Sequence, residues 1–290
     1  MIWDTPDGDF LELRRFTGAP ESPRLLILHG LEGSPRSHYV RALFHEARRR
    51  RWGADLLIFR SCGTVMNRGR RFYHSGETGD LDFAVRGVLE EFPRAPLLLA
   101  GISLGGNVLL KWLGETGAGV PSQIRGAVAI SVPFDLARSS RHINRGFSRV
   151  YERVFLKSLL QKAASIRTRY PELLVGVDLQ RISSLWQFDD LVTAPVHGFH
   201  GAQDYYDRSS SIRWLDKIAV RTLLLSAIDD PFLPAQVLAD VARIADCNEY
   251  IETEFTQRGG HAGFISGYNP FRPRYYAEWR ACMFLQERCI

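Results

Sequence analysis

Downstream of residue 24, short continuous aliphatic runs alternate with longer segments whose apolar residues recur at helical spacing. The runs typical of buried strands cover 25–30, 54–59, 96–102, 123–132, 221–229 and 249–255. Helices are predicted over 37–51, 78–92, 104–114 and 234–245, with a closing helix from about residue 274. This alternation predicts an α/β fold with a mainly parallel central sheet and helices on both of its faces.

The alternation breaks after Pro133, because residues 136–218 show helical patterns and no convincing buried strand. We therefore predict a core formed by residues 1–135 and 219–290, interrupted by a helical lid insertion over 136–218. A lid of this kind would cover the carboxyl ends of the strands, where parallel sheets place their ligand sites.

The chain has 290 residues, of which 45% are hydrophobic, and no run approaches the eighteen apolar residues of a membrane span. Its acidic opening, M-I-W-D-T-P-D-G-D-F, does not resemble a signal peptide, so we predict a cytoplasmic location. The four cysteines form no C-x-x-C motif. They are expected to be reduced thiols, neither paired in disulfides nor bound to a metal.

The net charge of +5 and the pI near 9.1 raise the question of an anionic partner. Basic residues recur at spacings of three and four, which predicts one basic helical face; they are Arg138, Arg141, Arg145, Arg149, Arg153 and Lys157. Apolar residues are expected on another face of that helix: Ile143, Phe147, Val150 and Val154. We interpret the basic face as the solvated side of a packed helix, with peripheral contact to an anionic membrane surface as the alternative. No nucleic-acid partner is predicted, because no nucleic-acid motif is present.

One polar side chain, Ser103, interrupts the apolar segment L-L-L-A-G-I-S-L-G-G-N-V-L-L (97–110). With Gly101 and Gly105 it fits G-x-S-x-G, the sharp strand-to-helix turn that exposes a serine nucleophile at the edge of a sheet. An aliphatic strand runs into this motif and a helical segment leaves it. The glycines are required because a side chain would collide where strand and helix approach each other.

A serine of this kind needs a base and an acid, which elbow enzymes supply in the chain order serine, acid, histidine. His261, in the glycine-rich Q-R-G-G-H-A-G-F, follows a predicted strand and is the candidate base. The acid comes from S-A-I-D-D-P-F-L-P, where Asp230 is favoured and Asp229 is the alternative. Three other downstream histidines lie within or beside the insertion: His142, His197 and His200. The last two have i, i+3 spacing but no third ligand nearby, so we predict no metal and no cofactor.

The oxyanion of a tetrahedral intermediate needs two backbone N–H donors. We predict that Leu104, directly after the serine, supplies one, and that Leu31, in the loop after the first parallel strand, supplies the other. His29, just before that loop, is interpreted as a buried structural histidine.

A set of motifs resembles the YheT-like α/β-hydrolases from about residue 4 to the last helix. They are P-D-G-D-F (6–10), H-G-L-E-G-S (29–34), F-R-S-C-G-T-V-M-N-R (59–68), Y-H-S-G-E-T (73–78), G-I-S-L-G-G-N (101–107), G-F-S-R-V-Y (146–151), F-D-D-L-V-T-A (188–194) and D-D-P-F-L (229–233). The resemblance implies an α/β-hydrolase fold and a serine hydrolase acting on carboxylic esters. It also implies Ser103 as nucleophile, Asp230 as acid and His261 as base.

Two details of the resemblance are open. The family's R-G-C-S-G-x-x-N reads R-S-C-G-T-V-M-N at 60–67, and Thr64 in place of a glycine puts the conformation of that loop in question. The motif Y-H-S-G-E (73–77) belongs to the family pattern, and our hypothesis is that it braces the loops of the site.

The sequence therefore predicts an esterase that cleaves short- to medium-chain acyl esters, with lipid esters among the candidates, through an acyl-serine intermediate. An acyltransferase with the same triad and a non-catalytic binding protein on the same fold are the alternatives. Aromatic residues of the insertion suggest an apolar acyl pocket, with plain core packing as the alternative; they are Phe147, Tyr151, Phe155, Trp186 and Phe188. The oligomeric state stays open.

Overall fold

The computed structural model describes residues 1–267 and 274–289, so positions 268–273 and 290 of the predicted core segment lie outside the described residues. Its central sheet contains eight strands: β1 (Ile2–Asp4), β2 (Phe10–Phe16), β3 (Arg24–Leu28), β4 (Gly53–Ile58), β5 (Leu97–Ile102), β6 (Ile124–Ile130), β7 (Thr222–Ala227) and β8 (Ile251–Thr256). Two short strands form a separate antiparallel pair, β9 (Ile265–Ser266) and β10 (Arg274–Tyr275).

Four helices connect strands of the sheet and a fifth closes the chain: α1 (His38–Arg49), α2 (Gly79–Glu91), α3 (Leu104–Thr116), α9 (Ala235–Ala245) and, last, α10 (Tyr276–Gln286). Five more lie between β6 and β7: α4 (Leu136–Ile143), α5 (Ser148–Arg169), α6 (Leu185–Phe188), α7 (Ala194–His197) and α8 (Ala202–Ser209). A π-helical turn, Asp189–Thr193, joins α6 to α7. Single 3₁₀ turns cover Gly117–Gly119, Pro171–Leu174, Leu179–Arg181, Ser211–Arg213 and Leu215–Lys217.

The strand order is β1-β2-β4-β3-β5-β6-β7-β8, with parallel pairing from β4 through β8 and antiparallel pairing at the β1-β2-β4 edge. Strands β3, β4, β5 and β7 are buried along their whole length, as continuous aliphatic runs require. Separate hydrophobic clusters cover the two faces of the sheet. The predicted α/β fold, with a mainly parallel sheet between helices, is confirmed.

The antiparallel edge formed by β1 and β2 is absent from the sequence prediction. Strand β2 reads F-L-E-L-R-R-F, in which charged residues interrupt the apolar ones. Glu12 is nevertheless buried, because its carboxylate accepts hydrogen bonds from the backbone and hydroxyl of Thr64. Arg15 pairs with Asp55 of β4 at 2.6 Å. The charged residues of β2 can be buried because partners distant in sequence pair with them, so the local sequence pattern of β2 does not predict a strand.

The segment 136–218 contains helices and turns but no strand, and it packs through two apolar clusters, one of which also includes Phe72 and contacts Leu31 and Met66 of the core. The predicted single basic helix face is wrong. Helix α4 ends at Ile143 and α5 begins at Ser148, so Arg145 lies between the helices and the six cations do not share one face. Arg138 is engaged in ion pairs with Asp135 and Asp240.

Candidate active site

Ser103 lies at the sharp turn between β5 and α3. Its backbone has φ 53° and ψ −121°, a strained combination for a residue with a side chain, and its N–H donates to the carbonyl of Ile130 at 2.8 Å. A Cβ on Gly101 would lie 2.5 Å from the carbonyl oxygen of Gly105. One on Gly105 would lie 2.5 Å from the carbonyl oxygen of His29, so both glycines are needed for the turn to close.

The structure brings Ser103, His261 and Asp230 together. The Nε2 atom of His261 lies 3.0 Å from Ser103 Oγ, and its Nδ1 lies 2.8 Å from Asp230 Oδ2. The side chain of Asp230 is fully buried, whereas that of His261 is 14% exposed. The other oxygen of Asp230 accepts the N–H of Phe232 at 2.8 Å. This is the geometry in which a carboxylate orients an imidazole toward a serine hydroxyl.

Asp229 does not contact the imidazole. Its Oδ1 accepts the N–H groups of Gly259 and Gly260 at 2.8 and 2.9 Å, which holds the loop that carries His261. On the other side of the histidine, the N–H of Ala262 donates to the hydroxyl of Ser131 at 3.2 Å. The two adjacent acids therefore have separate positions, one on the imidazole and one on its loop.

The two predicted oxyanion donors lie at the same cavity as Ser103. Leu104 is the first residue of α3 and Leu31 lies in the loop after β3, and both line the cavity. Within the described part of the chain, neither backbone N–H has a hydrogen-bond acceptor, so both are free for a ligand. The N-terminus of α3 adds the positive end of its dipole.

The loop that carries Leu31 is fixed by hydrogen bonds on both sides. The N–H of Gly30 donates to the hydroxyl of Tyr39 at 3.1 Å, and that of Glu32 donates to the hydroxyl of Tyr73 at 2.9 Å. Glu32 has a left-handed φ of 55°. Its carboxylate accepts Tyr73 Oη at 2.6 Å, Lys162 Nζ of α5 at 2.6 Å, and the hydroxyl of Ser158. Sequence reasoning missed this anchoring of the loop to α5.

His29 is completely buried, as predicted. Its Nδ1 contacts the carbonyl of Gly30 at 2.7 Å, and its Nε2 accepts the N–H of Phe59 at 3.1 Å. Burial lowers the pKa of this imidazole to about 4, because the protein interior disfavours the charged form. His29 is therefore a neutral structural residue beneath the site.

A cavity of about 320 Å³ opens beside Ser103 and His261. Its apolar lining comes from both the sheet loops and the segment 136–218; it includes Phe72, Leu136, Ile143, Phe155, Leu159, Leu185, Phe188, Phe232 and Leu233. Among the insertion aromatics predicted as pocket candidates, Phe155 and Phe188 line this cavity. Trp186 packs on Tyr206, while Phe147 and Tyr151 are exposed.

One part of the cavity wall is polar. Asp189 accepts hydrogen bonds from Tyr206 Oη at 2.6 Å and Thr193 Oγ1 at 2.7 Å, and all three residues line the cavity. Burial raises the pKa of Asp189 to about 6 despite these two hydrogen bonds. Asp189 belongs to the family motif F-D-D-L-V-T-A (188–194), but the sequence does not indicate its role, because its hydrogen-bond partners come from the π-helical turn and α8.

The Y-H-S-G-E motif lies between the cavity and the segment 136–218. The N–H of Ser75 donates to Tyr205 Oη at 2.8 Å, and the carbonyl of Ser75 accepts Asn107 Nδ2 at 2.8 Å. The ring of His74 packs on that of His197, with centroids 4.4 Å apart. Burial, followed by repulsion from His74, lowers the pKa of His197 to about 2. These contacts agree with the hypothesis that the motif braces the site loops.

The loop in which Thr64 replaces the family's glycine does not need a left-handed backbone at that position. Thr64 is not in the left-handed region, and its N–H donates to Glu12 Oε1 at 2.8 Å. The left-handed residue is Ser61, with φ 65°. Within residues 1–267 and 274–289, no three histidine, cysteine or carboxylate side chains are grouped as metal ligands would be.

The chain is similar in sequence to proteins named as lipid and ester hydrolases. The sequence model of the alpha/beta hydrolase fold family matches residues 23–268 of this chain. The protein YheT of Escherichia coli (strain K12) is 40% identical over 91% of this chain and 78% of its own length. A monoacylglycerol lipase of Saccharomyces cerevisiae is 31% identical over 91% of this chain, which spans only 59% of the yeast protein.

The structural comparison agrees at the level of the fold. The esterase Pf2001 of Pyrococcus furiosus superposes with a TM-score of 0.66 at 15% identity, over 100% of this chain and 92% of the esterase. No helix within the described residues has the length and apolar character needed to cross a membrane.

Proposed function

The chain belongs to the alpha/beta hydrolase fold family as a YheT-like carboxylic ester hydrolase, and from this premise we propose that Ser103, His261 and Asp230 are its catalytic triad. The observation that carries the proposal is the continuous hydrogen-bonded chain from Ser103 Oγ through His261 to Asp230, at 3.0 and 2.8 Å, beside an apolar cavity.

The first half of the reaction forms an acyl-serine. Ser103 Oγ attacks the ester carbonyl while His261 Nε2 takes the hydroxyl proton, and Asp230 holds the imidazole with Nε2 toward the serine. The backbone N–H groups of Leu31 and Leu104 stabilise the oxyanion. The C–O bond to the alcohol then breaks, and His261 returns the proton to the departing alkoxide.

In the second half, water replaces the alcohol. His261 removes a proton from water, whose oxygen attacks the acyl carbon, and collapse of the second oxyanion returns the proton to Ser103 and releases the carboxylic acid. Every step uses side chains and backbone donors of this chain, so the proposed mechanism requires neither a metal nor a cofactor.

The substrate proposed from the cavity is a short- to medium-chain acyl ester, with lipid esters included. A largely apolar cavity of about 320 Å³ next to Ser103 suits an alkyl chain, which is bound by removal of its surface from water. The yeast relative's name, monoacylglycerol lipase, and the name phospholipase ABHD3 carried by mammalian relatives support lipid esters. We further propose that the segment 136–218 acts as the lid of this cavity. The cytoplasmic location stays a prediction from the sequence.

A fluorophosphonate, which modifies activated serines, tests the triad directly. We expect one adduct, located by mass spectrometry at Ser103, and none in Ser103→Ala. A folded wild-type protein that remains unlabelled would favour the non-catalytic binding protein. Product analysis with a soluble p-nitrophenyl ester, in the presence of competing alcohols, separates the hydrolase from the acyltransferase: free acid is expected, and a dominant new ester would contradict hydrolysis.

A further inference from the structure

The first half of α5, together with Phe147 directly before it, exposes a row of large apolar side chains to solvent. Phe147 is 73% exposed, Val150 50%, Tyr151 43% and Val154 65%. These residues recur at helical spacing, so they form one continuous apolar row, which we call the α5 stripe. The same helix buries a different face through Leu156, Leu159, Ala163 and Ile166, so the stripe is not needed for packing.

A row of cations runs alongside the α5 stripe. Arg149, Arg153 and Lys157 are spaced four residues apart, are exposed, and form no ion pair within the described residues. The only acidic residue of α5, Glu152, is 2% exposed and accepts the N–H of Leu185 at 2.8 Å. The solvent side of this half of α5 is therefore apolar and positive, without a compensating carboxylate.

The α5 stripe leads directly to the proposed active site. The ring of Phe147 contacts that of Tyr151 at 5.9 Å between centroids, Tyr151 contacts Phe232 at 5.0 Å, and Phe232 contacts the His261 imidazole at 4.3 Å. The hydroxyl of Ser148 donates to the carbonyl of Pro231 at 2.5 Å, which ties the start of α5 to the loop that carries Asp230. A surface bound on the stripe would thus lie at the entrance of the cavity.

We propose that the α5 stripe and its flanking cations dock this protein on an anionic phospholipid surface. The apolar side chains insert among the acyl chains at the membrane interface, and the cations contact the lipid phosphates, as in other interfacial helices. Docking presents the cavity to esters held in the bilayer. This goes beyond the proposed ester hydrolysis, because binding to the surface does not require a working triad.

Charge complementarity favours an anionic membrane over a second copy of the chain as the partner of the α5 stripe. In a two-fold dimer built on the stripe, each cation row would face the same surface of the other copy, in a protein that already carries a net charge of +5. An anionic membrane neutralises these charges and also accepts the apolar row. Each cation near such a surface is expected to strengthen binding by about fivefold at physiological salt.

The test is flotation of the full chain with vesicles, using the Ser103→Ala background so that catalysis does not alter the lipids. We expect binding to vesicles of phosphatidylcholine and phosphatidylglycerol at 3:1, weak binding to phosphatidylcholine alone, and loss of binding as salt is raised. Phe147→Ser with Val150→Ser and Val154→Ser should weaken it by roughly tenfold or more. The charge variant R149Q/R153Q/K157Q should weaken it by roughly a hundredfold.

Matched variants and a second readout keep the result unambiguous. R48Q/R94Q/R125Q removes the same number of charges near the amino ends of β4, β5 and β6, away from the site, and should bind within a few-fold of wild type. Hydrolysis of a soluble p-nitrophenyl ester should be unchanged in the stripe variants with Ser103 restored, which shows that they are folded and separates this test from that of the triad.

Three outcomes would overturn the proposal. The first is no flotation of the parent protein with anionic vesicles at low salt. The second is equal vesicle binding by the parent protein, the apolar and charge variants of α5, and the control R48Q/R94Q/R125Q. The third is concentration-dependent dimerisation in sedimentation that the stripe variants abolish, without vesicle binding, which would assign the surface to a second copy.

Discussion

The Nε2 atom of His38 lies 2.7 Å from the carbonyl oxygen of Ala262, the residue directly after His261. Ala262 has a left-handed φ of 52°, so this contact holds a strained backbone next to the proposed base. The residue after His38, Tyr39, accepts the N–H of Gly30 in the loop that carries Leu31. The first turn of α1 therefore contacts the site from two sides.

We expect His38→Phe to lower kcat for a soluble ester by about two- to tenfold with little change in KM. Loss of one hydrogen bond costs about 0.5–1.5 kcal/mol, and here it loosens the loop that positions His261. His38→Gln, which keeps a donor, should recover part of the rate. His45→Phe, on the same helix, is the matched control and should leave kcat unchanged; an equal loss in that control would point to general damage to α1.

The Lys162–Glu32 pair connects α5 to the loop of Leu31. Lys162→Met leaves the largely buried Glu32 carboxylate with only the hydroxyls of Tyr73 and Ser158 as donors within the described chain, so we expect a loss of stability of about 1–3 kcal/mol. If the loop then displaces the Leu31 N–H, kcat should fall by roughly tenfold while KM stays within a few-fold. Gln161→Met, on the exposed side of α5, is the control. A change in KM alone would assign Lys162 to substrate binding.

The raised pKa of Asp189, about 6 because of burial, predicts a pH-dependent stability. Its folded-state pKa exceeds the ordinary aspartate value of 3.8, so the folded protein favours the protonated carboxyl. The stabilisation of the folded protein by the protonated Asp189 carboxyl is complete below pH 3.8 and is lost as the pH rises through 6. Relative to Asp189→Asn, the wild type should lose about 2 kcal/mol of unfolding free energy between pH 4 and 7.5, measured by urea denaturation.

The control for Asp189 is a carboxylate with the opposite shift. The N–H of His200 lowers the pKa of the half-buried Asp204, so the contribution of this carboxylate to stability is present above pH 3.8 and decreases as the pH falls. The difference between wild type and Asp204→Asn should therefore have the opposite sign of slope. A difference between wild type and Asp189→Asn that is constant with pH would contradict a buried carboxyl at this position.

Ser61 and Thr64 occupy the two positions where the family motif has glycine, and only Ser61 has a left-handed backbone. The left-handed φ of Ser61 should make Ser61→Gly more stable by up to about 1 kcal/mol in thermal unfolding. Thr64→Gly should be less stable by about 1 kcal/mol, because it loses the hydroxyl contacts with Glu12 and gains chain entropy when unfolded. The reverse order would mean that the loop adopts another conformation.

The sequence predicts the parallel sheet and the candidate triad for the same reason. Buried parallel strands require continuous aliphatic runs, and the ends of those runs locate Ser103, Asp230 and His261 without knowledge of any distant contact. The roles of Glu32, Lys162 and Asp189 are not predictable in this way, since each depends on a partner brought close only by folding. From the sequence, the apolar residues of the α5 stripe are expected to be packed, but they are exposed. Periodicity shows that a helix has an apolar face, but not whether the rest of the protein covers that face.

The two adjacent acids give the sharpest test of the site. Asp230 accepts a hydrogen bond from His261 Nδ1, whereas the donors to Asp229 among the described residues are the backbone N–H groups of Gly259 and Gly260. Asp230→Asn keeps the shape but removes the carboxylate that orients the imidazole, so kcat should fall by about 10³- to 10⁴-fold. Asp229→Asn retains an amide oxygen that can accept both N–H groups, so its kcat should fall by less than about tenfold.

Both variants are compared by kcat/KM for a soluble ester and by the rate of fluorophosphonate labelling at Ser103. Asp230→Asn should slow both, because each depends on proton removal from the serine hydroxyl, while its unfolding midpoint stays near that of Asp229→Asn. If Asp229→Asn is the slower variant in both assays, then the acid has been assigned to the wrong residue and the loop of His261 must move before reaction.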